Sequence, residues 1–205
     1  MAARAPPATG IAAAVALVPP NMTLRRVLVL HGYLASPSDH WFPWIRDELS
    51  PGVKVEVIEL PDSSEPDAER WISTVAEAIG TPTAELAIVA HSLGAVTALH
   101  ALDRLAGDWS LGAYVAVAGF VDPLPALPQL DGFTAETPDT ARTAARTLRR
   151  GVVVSDDDSI VPPALTHRLA ARLEAEEVTV SGGGHFLADE GVTTLPAVLH
   201  LLPTH

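Results

Sequence analysis

From residue 26 onward, apolar residues recur in two rhythms. Short runs rich in valine, leucine and isoleucine alternate with longer stretches in which apolar residues return every three or four positions. The first rhythm predicts strands and the second amphipathic helices, and their alternation predicts an α/β domain built on a mainly parallel sheet with helices on both faces. Six strands are expected: Arg26 to Leu30, Val53 to Glu59, Leu86 to Ala90, Tyr114 to Ala118, Gly151 to Ser155 and Glu177 to Ser181. Runs such as Val27-Leu28-Val29-Leu30 and Val152-Val153-Val154 are apolar at every position, as strands covered on both faces require.

The helical stretches lie between them. Ala68, Trp71, Ile72, Val75, Ala76 and Ile79 share one face of a helix that opens near Pro66-Asp67, where a proline and an acid suit a first turn. Val96, Leu99 and Leu102 form a second stripe, Leu165, Leu169 and Leu173 a third, and a last helix around Leu195 to Leu202 closes the domain. Trp41, Phe42 and Trp44 open the first helix, with Trp41 and Trp44 on one core-facing side. The proline-rich stretch Val121 to Thr140, with Leu124, Leu127, Leu130 and Phe133 scattered through it, breaks the pattern. It reads either as a mobile flap or as a packed loop, and is too short to be a lid domain.

Composition sets the outer limits. With 205 residues, 48% of them hydrophobic, the chain can bury roughly 70% of its unfolded surface as one domain. The absence of cysteine excludes thiol nucleophiles, zinc-thiolate sites and disulfides. A net charge of -12 argues against nucleic-acid binding and against anionic membranes, since both draw on lysine and arginine. Residues 1–22, Ala- and Pro-rich, read as a tail ahead of a domain over 23–205, or as an extended start before an initiator at Met22. Their short apolar run from Ile11 to Val18 also has a faint likeness to a secretory signal, but Pro6-Pro7 and Pro19-Pro20 bracket it awkwardly. A cytoplasmic location is the expectation.

The third predicted strand has an unusual end. Leu86-Ala87-Ile88-Val89-Ala90-His91 breaks on Ser92 and continues at once through Leu93-Gly94-Ala95 into a helix of small residues. A sharp strand-to-helix turn presents a serine hydroxyl at the end of a sheet, and needs almost no side chain at its flanks. Gly94 and Ala95 supply that on one side and Ala90 on the other, where glycine is the usual residue.

A serine hydroxyl is a poor nucleophile unless a base lies within hydrogen-bond reach and a third group orients that base. Two strands on, the chain reads Val154-Ser155-Asp156-Asp157-Asp158-Ser159-Ile160-Val161-Pro162, and after the next strand Ser181-Gly182-Gly183-Gly184-His185-Phe186. Serine, aspartate and histidine therefore all fall at the carboxyl ends of parallel strands, where such sheets open their ligand crevice. The backbone N–H of Leu93, next to the serine, is the expected first donor to an oxyanion. His31 and His91, beside the same turns, read as structural. No cofactor or metal is implied; a calcium loop at residues 156–158 lacks the further ligands such a site needs.

The segments H-G-Y at 31–33, H-W at 40–41, A-H-S-L-G at 90–94, S-D-D-D-S-I-V-P at 155–162 and G-G-H-F at 183–186 carry a further signal. Together they resemble the small, lid-less α/β-hydrolase family of serine hydrolases typified by retinoblastoma-binding protein nine and its bacterial YdeN-like relatives. The likeness spans about residues 25–203. It implies Ser92 as nucleophile, His185 as base and, as the acid four residues before Pro162, Asp158, with Asp157 the alternative. It also implies a second oxyanion donor at the Tyr33 backbone, with Leu34 the alternative. Leu34, Trp41 and Phe186 are candidate walls of an acyl pocket.

The expected activity is hydrolysis of small esters or related acyl compounds through an acyl-enzyme, with a small-molecule acyl substrate as partner. Two other readings stand beside it: a protein-binding module on the hydrolase fold, and an acyltransferase or perhydrolase that delivers the acyl group to another acceptor. No sequence feature indicates a protein partner.

Overall fold

Alternate residues along each strand feed two separate cores. The computed structural model describes residues 23–203, so the reading of residues 1–22 as a tail lies outside the described residues. Strands β1 (Arg26–Leu30), β2 (Lys54–Ile58), β3 (Leu86–His91), β4 (Leu111–Val117), β5 (Thr147–Ser155) and β6 (Glu176–Val180) form one sheet in the order β2-β1-β3-β4-β5-β6. Every neighbouring pair is parallel. Leu28, Leu30, Ile88, Ala90, Tyr114, Ala116, Val152 and Val154 point to one face. There they meet α2 (Ala68–Ile79), α3 (Leu93–Asp103) and α5 (Pro163–Leu173). Val27, Val29, Val89, Val115, Val117 and Val153 point to the other, against α1 (Phe42–Leu49) and α6 (Pro196–Leu201).

The chain steps from β1 outward to β2, then returns across β1 to β3 and continues the other way. The reversal falls between β1 and β3, and Ser92 lies at the carboxyl end of β3, the place where sheets of this kind bind their ligands.

Three differences from the sequence reading have physical causes. β4 begins at Leu111 rather than Tyr114, and β5 at Thr147 rather than Gly151. The added part of β5 includes Arg149 and Arg150, polar residues that suit a strand end because their long side chains reach carbonyls at helix ends. Arg150 donates to the carbonyls of Leu173 and Ala144, and Arg149 to that of His200. A helix not foreseen, α4 (Thr140–Arg146), buries only Thr143 and so carries no apolar stripe; its first turn is capped by Asp139, which accepts from the Arg142 N–H at 2.8 Å.

The Val121 to Thr140 stretch is a packed loop and not a flap. Leu124, Leu130 and Phe133 are buried in the α2 and α3 core, and the Phe133 ring meets Trp71 edge-on at 5.5 Å. Among the described residues, no helix is long and apolar enough to cross a membrane.

Candidate active site

The turn after β3 holds Ser92 at φ 53 and ψ -122, a region that side-chain-bearing residues avoid. Its neighbours make that conformation accessible. A Cβ on Gly94 would lie 2.5 Å from the His31 carbonyl oxygen and 3.0 Å from that of Leu30, so only glycine lets α3 start this close to β1. The Ser92 N–H donates to Val117 O at 2.9 Å, carrying the sheet one step past the strand. The Tyr114 hydroxyl, buried beneath, donates to Ala95 O at 2.9 Å and pins the first turn of α3. Burial alone pushes this phenol far above its ordinary value, so it remains a donor. Ala90, where glycine is usual, lies inside the strand with its methyl in the core, upstream of the tight contacts.

From Ser92 a hydrogen-bonded chain runs inward. Ser92 Oγ lies 2.9 Å from His185 Nε2, and His185 Nδ1 lies 2.8 Å from Asp158 Oδ2. A carboxylate only accepts, so Nδ1 carries the proton and Nε2 presents its lone pair to the serine hydroxyl. All three residues are buried, with only 7%, 4% and 7% of Ser92, His185 and Asp158 exposed. The other Asp158 oxygen accepts from the Ile160 and Val161 N–H groups, both at 2.9 Å, which fixes the carboxylate plane.

The run of three acids divides its labour. Asp157, the alternative partner for the imidazole, accepts instead from the Ser155 hydroxyl at 2.6 Å and the Gly184 N–H at 2.8 Å. Asp156 accepts from the Ser181 hydroxyl at 2.6 Å and the Gly182 N–H at 2.9 Å, and these bonds hold its carboxyl below the usual range. Asp156 and Asp157 thus anchor the glycine loop while Asp158 meets the ring it delivers. Glu190, which sequence reasoning missed, accepts from the His185 N–H at 2.7 Å and the Leu187 N–H at 3.0 Å. It fills the space that a Cβ on Gly184 would take, 2.5 Å from its carboxyl carbon. The only sequence signal for it was an acid a few residues beyond a glycine-rich turn.

The loop after β1 brings its backbone against the nucleophile. A Cβ on Gly32 would lie 3.0 Å from Ser92 Cβ, so the approach depends on glycine. The Leu34 N–H, the alternative oxyanion donor, is engaged by Ser63 O at 2.8 Å and is not free for that role. Among the described residues, the N–H groups of Tyr33 and Leu93 have no hydrogen-bond partner. His31 braces this loop as a neutral ring: its Nδ1 donates to Gly32 O at 2.9 Å and its Nε2 accepts from the Leu60 N–H at 3.0 Å. Burial lowers its pKa in keeping with that state.

Of the three candidate pocket residues, only Leu34 faces solvent, at 65% exposure. Trp41 and Phe186 are 0% exposed and belong to the core on the α1 and α6 side. Trp41 packs edge-on to Phe42 at 4.8 Å, and the Phe186 ring occupies the space above Gly183. A ring that solvent does not reach is not touched by substrate unless the core opens, so these two support the site from beneath. Their apolar character on site loops reads the same in sequence as that of a pocket wall.

Comparison with known proteins concerns the chain as a whole. A family model described as serine hydrolase matches residues 27–204. YdeN of Bacillus subtilis (strain 168), provisionally named a hydrolase, is 37% identical over 182 residues, which cover 88% of this chain and 96% of YdeN. The crystal structure of the ydeN gene product superposes with a TM-score of 0.83, covering 86% of this chain and 95% of that one. A more distant likeness, olei00960, a hydrolase from Oleispira antarctica, shares 14% identity at a TM-score of 0.61, covering 90% of this chain and 94% of its own, and speaks to the fold alone.

Proposed function

This chain belongs to the serine hydrolase family, and from that premise we propose that it cleaves small esters or related acyl compounds through an acyl-enzyme on Ser92. The observation that carries the reading is the continuous Ser92, His185, Asp158 hydrogen-bond chain with the imidazole held in one tautomer. Ser92 Oγ attacks the acyl carbonyl while His185 Nε2 takes its proton. Asp158 keeps Nδ1 protonated and stabilises the imidazolium as it forms. The carbonyl oxygen, now anionic, takes hydrogen bonds from the N–H groups of Leu93 and Tyr33; each such donor contributes about 3 kcal/mol at the transition state. The leaving alcohol then collects the proton from Nε2. Water, deprotonated by the same nitrogen, attacks the ester formed on Ser92 and releases the acid.

The acyl or alcohol group of the substrate rests against Leu34, whose side chain is exposed beside the donor loop and whose backbone sits at a φ of 61. A large apolar residue that is both exposed and in the left-handed region gains nothing for the fold, which supports a contact role. The test is turnover of a series of p-nitrophenyl esters by the unaltered chain and by Ser92→Ala. Loss of about 10⁴-fold or more in kcat is expected for the variant. Turnover that survives the substitution would rule the mechanism out.

A further inference from the structure

Two histidines of the N-terminal half take no part in the proton relay, yet both bond the short segment that carries its base. His91 is 2% exposed, and its Nε2 lies 2.9 Å from the carbonyl oxygen of His185. A carbonyl only accepts, so this nitrogen carries the proton; Nδ1, buried without a partner, is bare. His40 bonds the far end of the segment, where its Nδ1 accepts from the Ala188 N–H at 3.1 Å and is therefore bare as well. The rings of His40, His91 and His185 stand in series, with centroids 5.6 Å and 4.9 Å apart.

The approach to this segment is made of glycines at 182 and 184, at φ 70 and 53, which confer little stiffness of their own. Glu190 ties the N–H groups of His185 and Leu187, but among the described residues the His185 carbonyl has His91 as its partner and the Ala188 N–H has His40.

We infer that His40 and His91 are positioning residues that clamp the backbone of residues 185–188, so that the His185 imidazole stays aligned between Asp158 and Ser92, and that the clamp holds only while both rings are neutral. The inference rests on the role proposed for His185.

A proton on His40 Nδ1 would face the Ala188 N–H, donor against donor. A proton on His91 Nδ1 would be buried with no acceptor. The surroundings favour neutrality unequally. His91 is held well below the ordinary histidine range by burial, with His185, His40 and His31 all opposing a charge there. His40, half-buried, is lowered chiefly by burial and further by His185, while Asp39, Asp189 and Glu190 act the other way. His40 is thus the first of the pair to release on acidification.

The experiment measures kcat and KM for p-nitrophenyl acetate with four variants of the full chain. His91→Phe fills the ring's place without a donor, and His91→Gln returns an N–H near the position of Nε2. His40→Leu removes the acceptor, and His40→Asn returns one near Nδ1 without a titrating proton, on a residue type that tolerates the φ of 55 found there. His91→Phe and His40→Leu are expected to lower kcat about 10- to 100-fold with KM changed less than about twofold, as misalignment of a reacting group does. The Gln and Asn variants recover most of it, and His40→Asn keeps a larger fraction of its kcat near pH 6 than the unaltered chain does.

Ring-nitrogen chemical shifts of the unaltered chain give a second reading that no folding defect disturbs. A bare Nδ1 on both His40 and His91 at pH 8 supports the clamp; a protonated Nδ1 on either overturns it. So does an unchanged kcat in folded His91→Phe and His40→Leu. Turnover that persists in Ser92→Ala defeats the proposed function instead, and leaves the ring-nitrogen measurement to decide the clamp.

Discussion

Replacing Asp158 and Asp157 by asparagine, one at a time, separates the acid that orients the imidazole from the one that anchors the loop. Asp158 makes three bonds: Oδ1 accepts from the N–H groups of Ile160 and Val161, and Oδ2 from His185 Nδ1. In Asp158→Asn the two backbone donors select the amide oxygen, so the amide N–H₂ faces the imidazole where Oδ2 stood. His185 must then move its proton from Nδ1 to Nε2, and the serine hydroxyl meets a proton in place of a lone pair. Loss of the working tautomer lowers kcat by about 10⁴-fold in comparable triads, equivalent to about 5 kcal/mol of transition-state stabilisation. Fold stability moves far less, because the two backbone bonds survive as neutral ones, a change of about 1 kcal/mol. In Asp157→Asn the amide oxygen keeps both the Ser155 hydroxyl and the Gly184 N–H, so a decrease of a few-fold is expected. The assay is kcat for p-nitrophenyl acetate at pH 8 alongside urea unfolding. Equal losses in the two variants, or an Asp158→Asn protein within about tenfold of the unaltered one, would refute this reasoning.

Other expectations concern the backbone around the serine and the buried histidines. Gly32→Ala places a methyl 3.0 Å from Ser92 Cβ and 3.4 Å from Ser92 Oγ, and is expected to lower kcat about tenfold in the same assay. Gly94→Ala drives its methyl to 2.5 Å from a backbone oxygen and should destabilise the fold by about 3 kcal/mol in urea unfolding. Ala90→Gly, which restores the more usual turn sequence, should lose about 1 to 2 kcal/mol through a missing core methyl and a freer chain, with no gain in kcat. His31 and His91 both titrate below the ordinary histidine value of about 6.5 in the folded chain, chiefly through burial. As pH falls through that value the unfolded chain takes up protons that the folded one refuses. Stability is therefore full above about pH 6.5 and declines below it, by up to about 1.4 kcal/mol per pH unit for each ring. Urea midpoints from pH 8 to 5 check this, and His91→Gln should remove one ring's share of the slope.

Much of the fold was readable in advance because a doubly covered sheet writes itself as unbroken apolar strands, and β1 and β3 have no polar interruption to blur them. Strand ends were harder. Arg149 and Arg150 look like loop residues until the helix-end carbonyls they reach are in place, and α4 gives no periodic signal because it buries a single threonine. At the site, Ser92 stood out because a strand breaks on it with Gly94 two residues on, and His185 because three glycines precede it, backbone requirements that sequence expresses directly. The spacing to Pro162 in the family resemblance pointed to Asp158 with Asp157 as alternative, but the loop-anchoring work of Asp156 and Asp157 was not legible, since identical side chains differ only in where their neighbours send donors. Trp41 and Phe186 failed as surface walls for a related reason: an apolar ring next to a site has the same sequence signature whether it lines the cavity or supports it. His40 acts on a backbone group 148 residues away, which no local pattern encodes, and Glu190, though only five residues from His185, lies beyond a turn whose course the local sequence does not reveal.

The central claim is that one hydroxyl, activated by its imidazole neighbour, stands out in reactivity from every other serine in the chain. Treatment of the folded protein with a fluorophosphonate, followed by intact-mass measurement and peptide mapping, tests it most directly. One adduct per chain on Ser92, formed much more slowly in Asp158→Asn, is the predicted result. A folded sample that takes up no reagent, or takes it up elsewhere, would contradict the account.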